Sequence, residues 1–322
     1  MGLYQARQHR RAATLQRLRV TNNAILGSTV EDIDALLHNR NICVHTLRNT
    51  LHSDTVLLRH AAQRGVVSLL LRRGYLAAAT THTHDHVLDA LAILINLAVV
   101  APAATLQAVP AVAELLQGGY GAALASDAAW VLGNVAGSSP EARTRLRQAG
   151  CVSALWRARA TPNALWALGL LTVDRLAADQ LAHEEGCGDE LAPLVVADED
   201  AAWVTTNLLA HGWLLRGLVE ALLVAGGPAA VRGLGYAATA PQVGKRLVGL
   251  QVQAMELLMS QAPGLEVAWA LANWCGIGGD TIGVDGKQVA ETMHRSLHCS
   301  AIDDDDDDVV IWARSMVSWF CK

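Results

Sequence analysis

Apolar residues recur along most of the chain at the three-to-four spacing of helices, and the polar residues that interrupt them recur as well. In "DAAWVLGN" (127–134), Trp130 and Asn134 stand four apart, on one face of a run of good helix formers. The arrangement returns as "DAAWVTTN" with Trp203 and Asn207, and as "EVAWALAN" with Trp269 and Asn273. Weaker copies share the register: "DALAILIN" with Ala92 and Asn96, "NALWALGL" with Trp166 and Leu170, "AAVRGLGY" with Arg232 and Tyr236, and "DVVIWARSM" with Trp312 and Met316. The most apolar run, Val87–Ala101, is shorter than a membrane span of about 20 residues and contains Asp89 and Asn96. It reads as a buried helix.

Successive copies lie 38, 36, 37, 29, 37 and 43 residues apart, the range of stacked helical repeats. The grammar of one unit narrows the class. In "AGSSPEARTRLRQAG", Ser138 and Glu141 have capping-box spacing, Pro140 suits a first turn and Gly150 a helix end. "CVSALWRA" then predicts a second helix, and "NALWALGLL" the start of a long third one. Three helices per unit predict an all-α, right-handed armadillo-repeat superhelical solenoid of about seven to eight compressed repeats, rather than two-helix tetratricopeptide units. The expected organisation is a basic segment over 1–40 and a solenoid over 41–322.

Composition supports a large helical core, with 52% hydrophobic and 17% charged residues. Charge is uneven. Arg7, Arg10, Arg11, Arg17 and Arg19 fall before the first acid, Glu31, so the rest of the chain carries 20 basic against 30 acidic residues, a net of −10. An acidic body favours basic partners over nucleic acid. The cysteines (43, 151, 187, 275, 299 and 321) are scattered without a CxxC pair and read as reduced, buried thiols.

In such a solenoid the third helices line one concave groove, and the Trp/Asn pairs would form a ladder along it. An unpaired carboxamide in a core costs about 1–3 kcal/mol, so the repeated Asn is expected to face the groove rather than the core. There its amide complements the C=O and N–H of an extended peptide, and parallel indoles accept the stems of Lys or Arg. The expected ligand is an extended basic peptide.

These motifs resemble those of importin-α (karyopherin-α), the armadillo adaptor that binds nuclear localisation signals, over roughly residues 55–320. "DAAWVLGNVAGSSPEARTRLRQAGCVSAL" is similar to that family's third repeat, "AAVRGLGYAATA" to its sixth, where Arg replaces the ladder Trp, and "EVAWALANWCGIGGD" to its seventh. The resemblance implies a major-like peptide site using Asn96, Trp130, Asn134 and Trp166, joined by Trp203 and Asn207. It implies a minor-like site using Arg232, Trp269, Asn273 and Trp312. It further implies a non-enzymatic monomer without cofactor that takes basic signal-bearing cargo between cytoplasm and nucleus. Ala92, Leu170, Ser138, Tyr236 and Met316 depart from the family pattern.

The segment "RQHRRAATLQRLR" occupies the place of the family's importin-β-binding segment, which implies an importin-β-type carrier and self-inhibition through Arg7, Arg10, Arg11, Arg17 and Arg19. A mitochondrial transit peptide and a solvated basic tail remain open readings of the same residues. So does a non-import, organellar armadillo scaffold with a degenerate groove. "THTHDH", with His82, His84, Asp85 and His86, lacks a later ligand set, and "HRSLH", with His294 and His298, lacks the Glu of HExxH. "CGIGGDTIGVDGK" follows a helix and fails as a phosphate-binding loop. No metal site is expected. Asp303–Asp308 reads as a solvated acidic link before the Trp312 helix.

Overall fold

The computed structural model describes residues 28–39, 42–52, 54–77, 83–239, 247–262, 264–278 and 286–299. The arginines between 7 and 19, His82, Asp303–Asp308, Trp312 and Met316 lie outside these residues. Among the described residues every regular element is helical. The chain forms two compact units, Met1–Ala177 and Ala178–Lys322.

In the first unit the helices are α1 (Val30–His38), α2 (Val44–Leu51), α3 (Thr55–Gln63), α4 (Val66–Arg72), α5 (His84–Val100), α6 (Pro102–Thr105), α7 (Val109–Gln117), α8 (Ala122–Ala136), α9 (Pro140–Gln148), α10 (Cys151–Arg157) and α11 (Ala164–Leu171). They run in triplets. The third helices α2, α5, α8 and α11 stack on one another, and the second helices α7 and α10 stack behind them. The continuous core includes Leu91, Leu94, Val131, Leu132, Val152 and Leu168, each fully buried. Burying such a layer, with about 1.5–3 kcal/mol for each large aliphatic side chain, holds repeats whose single helices would not persist alone.

Local chemistry sets the helix ends. Thr29 opens α1 with a reciprocal cap to Asp32, and the buried Ile33 seats α1 against the triplet that follows. The Asp34 carboxylate on α1 bonds His60 at 3.0 Å and Arg64 at 2.8 Å on α3 and its C-cap. The first of these bonds, with the second, holds its pKa below the usual value. The cap of α9 differs from the expected Ser138/Glu141 box. Ser139 is the N-cap and accepts from the Ala142 amide, whereas Ser138 Oγ donates to the Val135 carbonyl. Pro140 takes the first helical position, which fixes the cap at the residue before it. Helix α11 has 8 residues, fewer than expected for a third helix, because it opens only after Asn163 in the left-handed conformation (φ 68°).

The second unit continues with α12, which starts at Arg175 and runs to Ala182 across the boundary, then α13 (Cys187–Ala197), α14 (Glu199–Ala210), α15 (Leu218–Ala225), α16 (Gly227–Thr239), α17 (Gln251–Ser260), α18 (Leu265–Gly278) and α19 (Gly286–Cys299). Here α14, α16 and α18 stack as third helices and α13, α15 and α17 as second helices. The 29-residue step from Trp203 to Arg232 has a structural cause: α14 is followed by a turn over 211–217 and then directly by a second helix, α15, with no first helix between. Trp213 fixes that turn on α12, donating from Nε1 to Asp179 Oδ1 at 2.7 Å with its ring edge-on to His183 at 4.9 Å.

Candidate functional site

The ladder positions fall on the stacked third helices of both units, but they are more deeply engaged than an open groove requires. Asn134 is 1% exposed and donates from Nδ2 to the Ile95 carbonyl at 3.1 Å. Asn273 makes the equivalent bond to the Gly235 carbonyl at 3.2 Å, and Asn96 donates to the His52 carbonyl at 2.6 Å. Each carboxamide therefore ties its helix to the preceding third helix. The expectation that Asn134 faces the groove, because a core would leave its carboxamide unpaired, fails: it is buried and paired instead, because stacking supplies a backbone carbonyl one repeat back.

The indoles divide into two groups. Trp130 is buried, with 7% of its surface accessible, while Trp166, Trp203 and Trp269 are half-buried. Trp166 lies against Gly133 so closely that a Cβ there would meet its ring at 2.2 Å, and Trp269 lies on Gly235 in the same way at 2.1 Å. Glycine one residue before the ladder Asn position is thus the seat of the next repeat's indole. Tyr236, standing where a ladder Asn would be, packs edge-on to Trp269 at 5.0 Å. Leu170 and Asn207 are half-buried on their helices, as is Ala92.

Sequence reading passed over two features. Trp274, beside Asn273, is fully buried and donates from Nε1 to the Leu234 carbonyl at 2.9 Å, a further tie between repeats. The second is a row of acids three residues before the ladder position: Asp89, Asp127, Asp200 and Glu266. They are the first letters of "DALAILIN", "DAAWVLGN", "DAAWVTTN" and "EVAWALAN", so the signal was present in the repeat itself. On a helix that offset puts each carboxylate on the ladder face.

Two of these carboxylates are neutralised from the preceding third helix. Arg232 on α16 pairs with Glu266 on α18, so the arginine of the minor-like set is occupied within the chain. Arg48 on α2 reaches Asp89 on α5, Nη1 to Oδ1 at 2.6 Å, with His45 Nδ1 at 3.1 Å from the other oxygen. Asp127 differs. Burial alone raises its pKa, to about 6, and no donor among the described residues reaches its carboxylate.

The thiols divide by depth. Burial pushes Cys151 and Cys275 up to about 12, while Cys43, exposed at the start of α2, is lowered chiefly by the Thr46 backbone amide. Among the described residues no group of three or more His, Cys, Asp or Glu is placed to hold a metal ion. Nor is any described helix long and apolar enough to cross a membrane.

Triplets of helices stacked third on third define an armadillo-like helical repeat α-solenoid. No family model and no curated protein matches the chain by sequence. Among solved structures it is similar to an engineered protein of the Northeast Structural Genomics Consortium, with a TM-score of 0.62 and 18% identity over 90% of this chain and 78% of that one. A designed armadillo repeat protein in complex with the peptide (KR)4 aligns at a TM-score of 0.40 and 17% identity, over 76% of this chain and 98% of that one.

Proposed function

We propose that the third-helix faces dock extended basic peptides and that the chain acts as an importin-α-like adaptor for signal-bearing cargo. The observation that carries this reading is the pairing, helix after helix, of a carboxylate with a ladder position three residues on: Asp127 with Trp130, Asp200 with Trp203 and Glu266 with Trp269. The half-buried Trp166, Trp203 and Trp269 offer indole surface for aliphatic stems, and the carboxylates of Asp127 and Asp200 offer acceptors for their charged ends, while Glu266 already holds the cation of Arg232. On this reading the N-terminal arginines engage an importin-β-type carrier or fold back as a competing pseudo-ligand, and the protein moves between cytoplasm and nucleus.

A direct test is fluorescence anisotropy of a labelled bipartite lysine-rich peptide with the full chain at two salt concentrations, beside Trp166→Ala and Trp269→Ala variants. The adaptor reading expects micromolar or tighter, salt-sensitive binding that both variants weaken. Undiminished binding by both would remove the ladder from the account. Loss of carrier binding in an Arg10→Glu/Arg11→Glu variant tests the transport role separately.

One observation favours a second reading, a protein-interaction scaffold without import cargo. One Nδ2 hydrogen of each of Asn96, Asn134 and Asn273 is committed between repeats, which leaves less of each carboxamide for a peptide backbone. That scaffold would fail to bind the basic peptide at either salt concentration.

A further inference from the structure

The chain itself shows how this face holds a cation. Arg232 on α16 neutralises Glu266 on α18. Arg48 on α2 neutralises Asp89 on α5 at 2.6 Å. In both cases the carboxylate stands three residues before its helix's ladder position, and the guanidinium comes from the third helix before it.

The register between α5 and α8 equals that between α16 and α18, because two equivalent hydrogen bonds pin it. Asn134 bonds the Ile95 carbonyl and Asn273 bonds the Gly235 carbonyl. Seven residues before the asparagine stands Asp127 on α8 and Glu266 on α18; three residues before the carbonyl stands Ala92 on α5 and Arg232 on α16. Ala92 therefore occupies the position from which an arginine would reach Asp127. An alanine side chain ends at Cβ and reaches no carboxylate, so Asp127 has no internal counterpart to Arg232 from that position. Both Ala92 and Asp127 keep part of their surface accessible.

We infer that the site between Ala92 and Asp127 receives the guanidinium of one arginine of a bound peptide, which takes the role that Arg232 plays within the chain opposite Glu266. The inference rests on the peptide-docking reading and names the residue type that one position selects. The planar fork of a guanidinium can give a carboxylate two parallel donors, which an ammonium cannot, so arginine is selected over lysine. Desolvation of Asp127, with no donor among the described residues to offset it, suits a carboxylate that takes a guest cation.

The test uses the full chain, fluorescein-labelled octa-arginine and octa-lysine, and two variants. Ala92→Arg supplies the missing guanidinium from within, and Asp127→Asn removes the acceptor. Each is expected to weaken octa-arginine about fivefold or more while changing octa-lysine less. Carboxyl carbon NMR adds a readout independent of peptide affinity: in Ala92→Arg the Asp127 titration should fall from about 6 to below the usual carboxylate range. If octa-arginine binds wild type and both variants alike, the arginine site is wrong and the docking face stands. If neither peptide binds wild type, both readings fall together. An Asp127 titration unmoved by Ala92→Arg overturns the geometry itself, whatever the peptides do.

Discussion

Asn134 and Ile95 lie on neighbouring third helices, and the Asn134 Nδ2 donates to the Ile95 carbonyl at 3.1 Å inside the core. The bond joins one repeat to the next, so Asn134 serves the solenoid before it can serve any ligand. Replacing it by Ala removes that bond and leaves a gap at a fully buried site, while the Ile95 carbonyl keeps its intrahelical partner. Asn134→Ala should cost about 1–3 kcal/mol, read as a lowered urea midpoint with an unchanged slope. Asn273→Ala, at a half-buried position, should cost less.

The repeat was legible because stacking imposes a period, and the period brings Trp130, Trp203 and Trp269 to equivalent places. The function of the paired Asn was not legible in the same way. Its partner is a backbone carbonyl 39 residues earlier for Asn134 and 38 for Asn273, and every residue type carries a carbonyl. The glycines at 133 and 235 were visible as letters, but only the seating of Trp166 and Trp269 on them gives them meaning. The missing first helix was detectable as a 29-residue step, whereas the use of Trp213 to hold the turn in its place depends on Asp179 being near in space. The acidic row is legible directly, because Asp89, Asp127, Asp200 and Glu266 each stand three residues before the ladder position.

Gly133 offers a clean test of indole seating. A methyl group there would meet Trp166 Cζ3 at 2.2 Å, so the ring must move. In an unobstructed helix, Gly→Ala gains about 0.5–1 kcal/mol. Gly133→Ala should instead destabilise by about 1–3 kcal/mol through overpacking. The Trp166→Ala background should reverse the sign of the Gly133→Ala effect, since the obstructing ring is gone. A double-mutant cycle in urea measures that coupling.

The two internal arginine pairs should respond differently to the loss of one partner. The Asp89 side chain is 6% exposed beside Arg48 at 22%, whereas Glu266 and Arg232 are 43% and 30% exposed. Arg48→Ala strands a buried carboxylate with the largely exposed His45 still near it, and should cost about 2–4 kcal/mol. Glu266→Gln breaks a pair that water already screens and should stay within about 1 kcal/mol. Thermal melts at low and high salt separate them further, with the Glu266 effect shrinking as salt rises.

Asp127 should leave its mark on the pH dependence of stability. Its pKa rises by burial from 3.8 to about 6, so between these values the folded chain holds a proton that the unfolded chain has released. The contribution to stability is fully present below about pH 4 and is lost as pH climbs through 6. At pH 7.5 the ionised carboxylate then weakens the fold by no more than about 3 kcal/mol, less whatever solvent screens. Asp127→Asn removes the charge and keeps the shape. The variant should be more stable than wild type at pH 7.5, and the difference should shrink toward pH 4. Urea midpoints at half-unit steps from pH 4 to 8 decide it: a constant offset between the two proteins across that range would mean that Asp127 titrates as an ordinary surface acid, with no desolvated site around it.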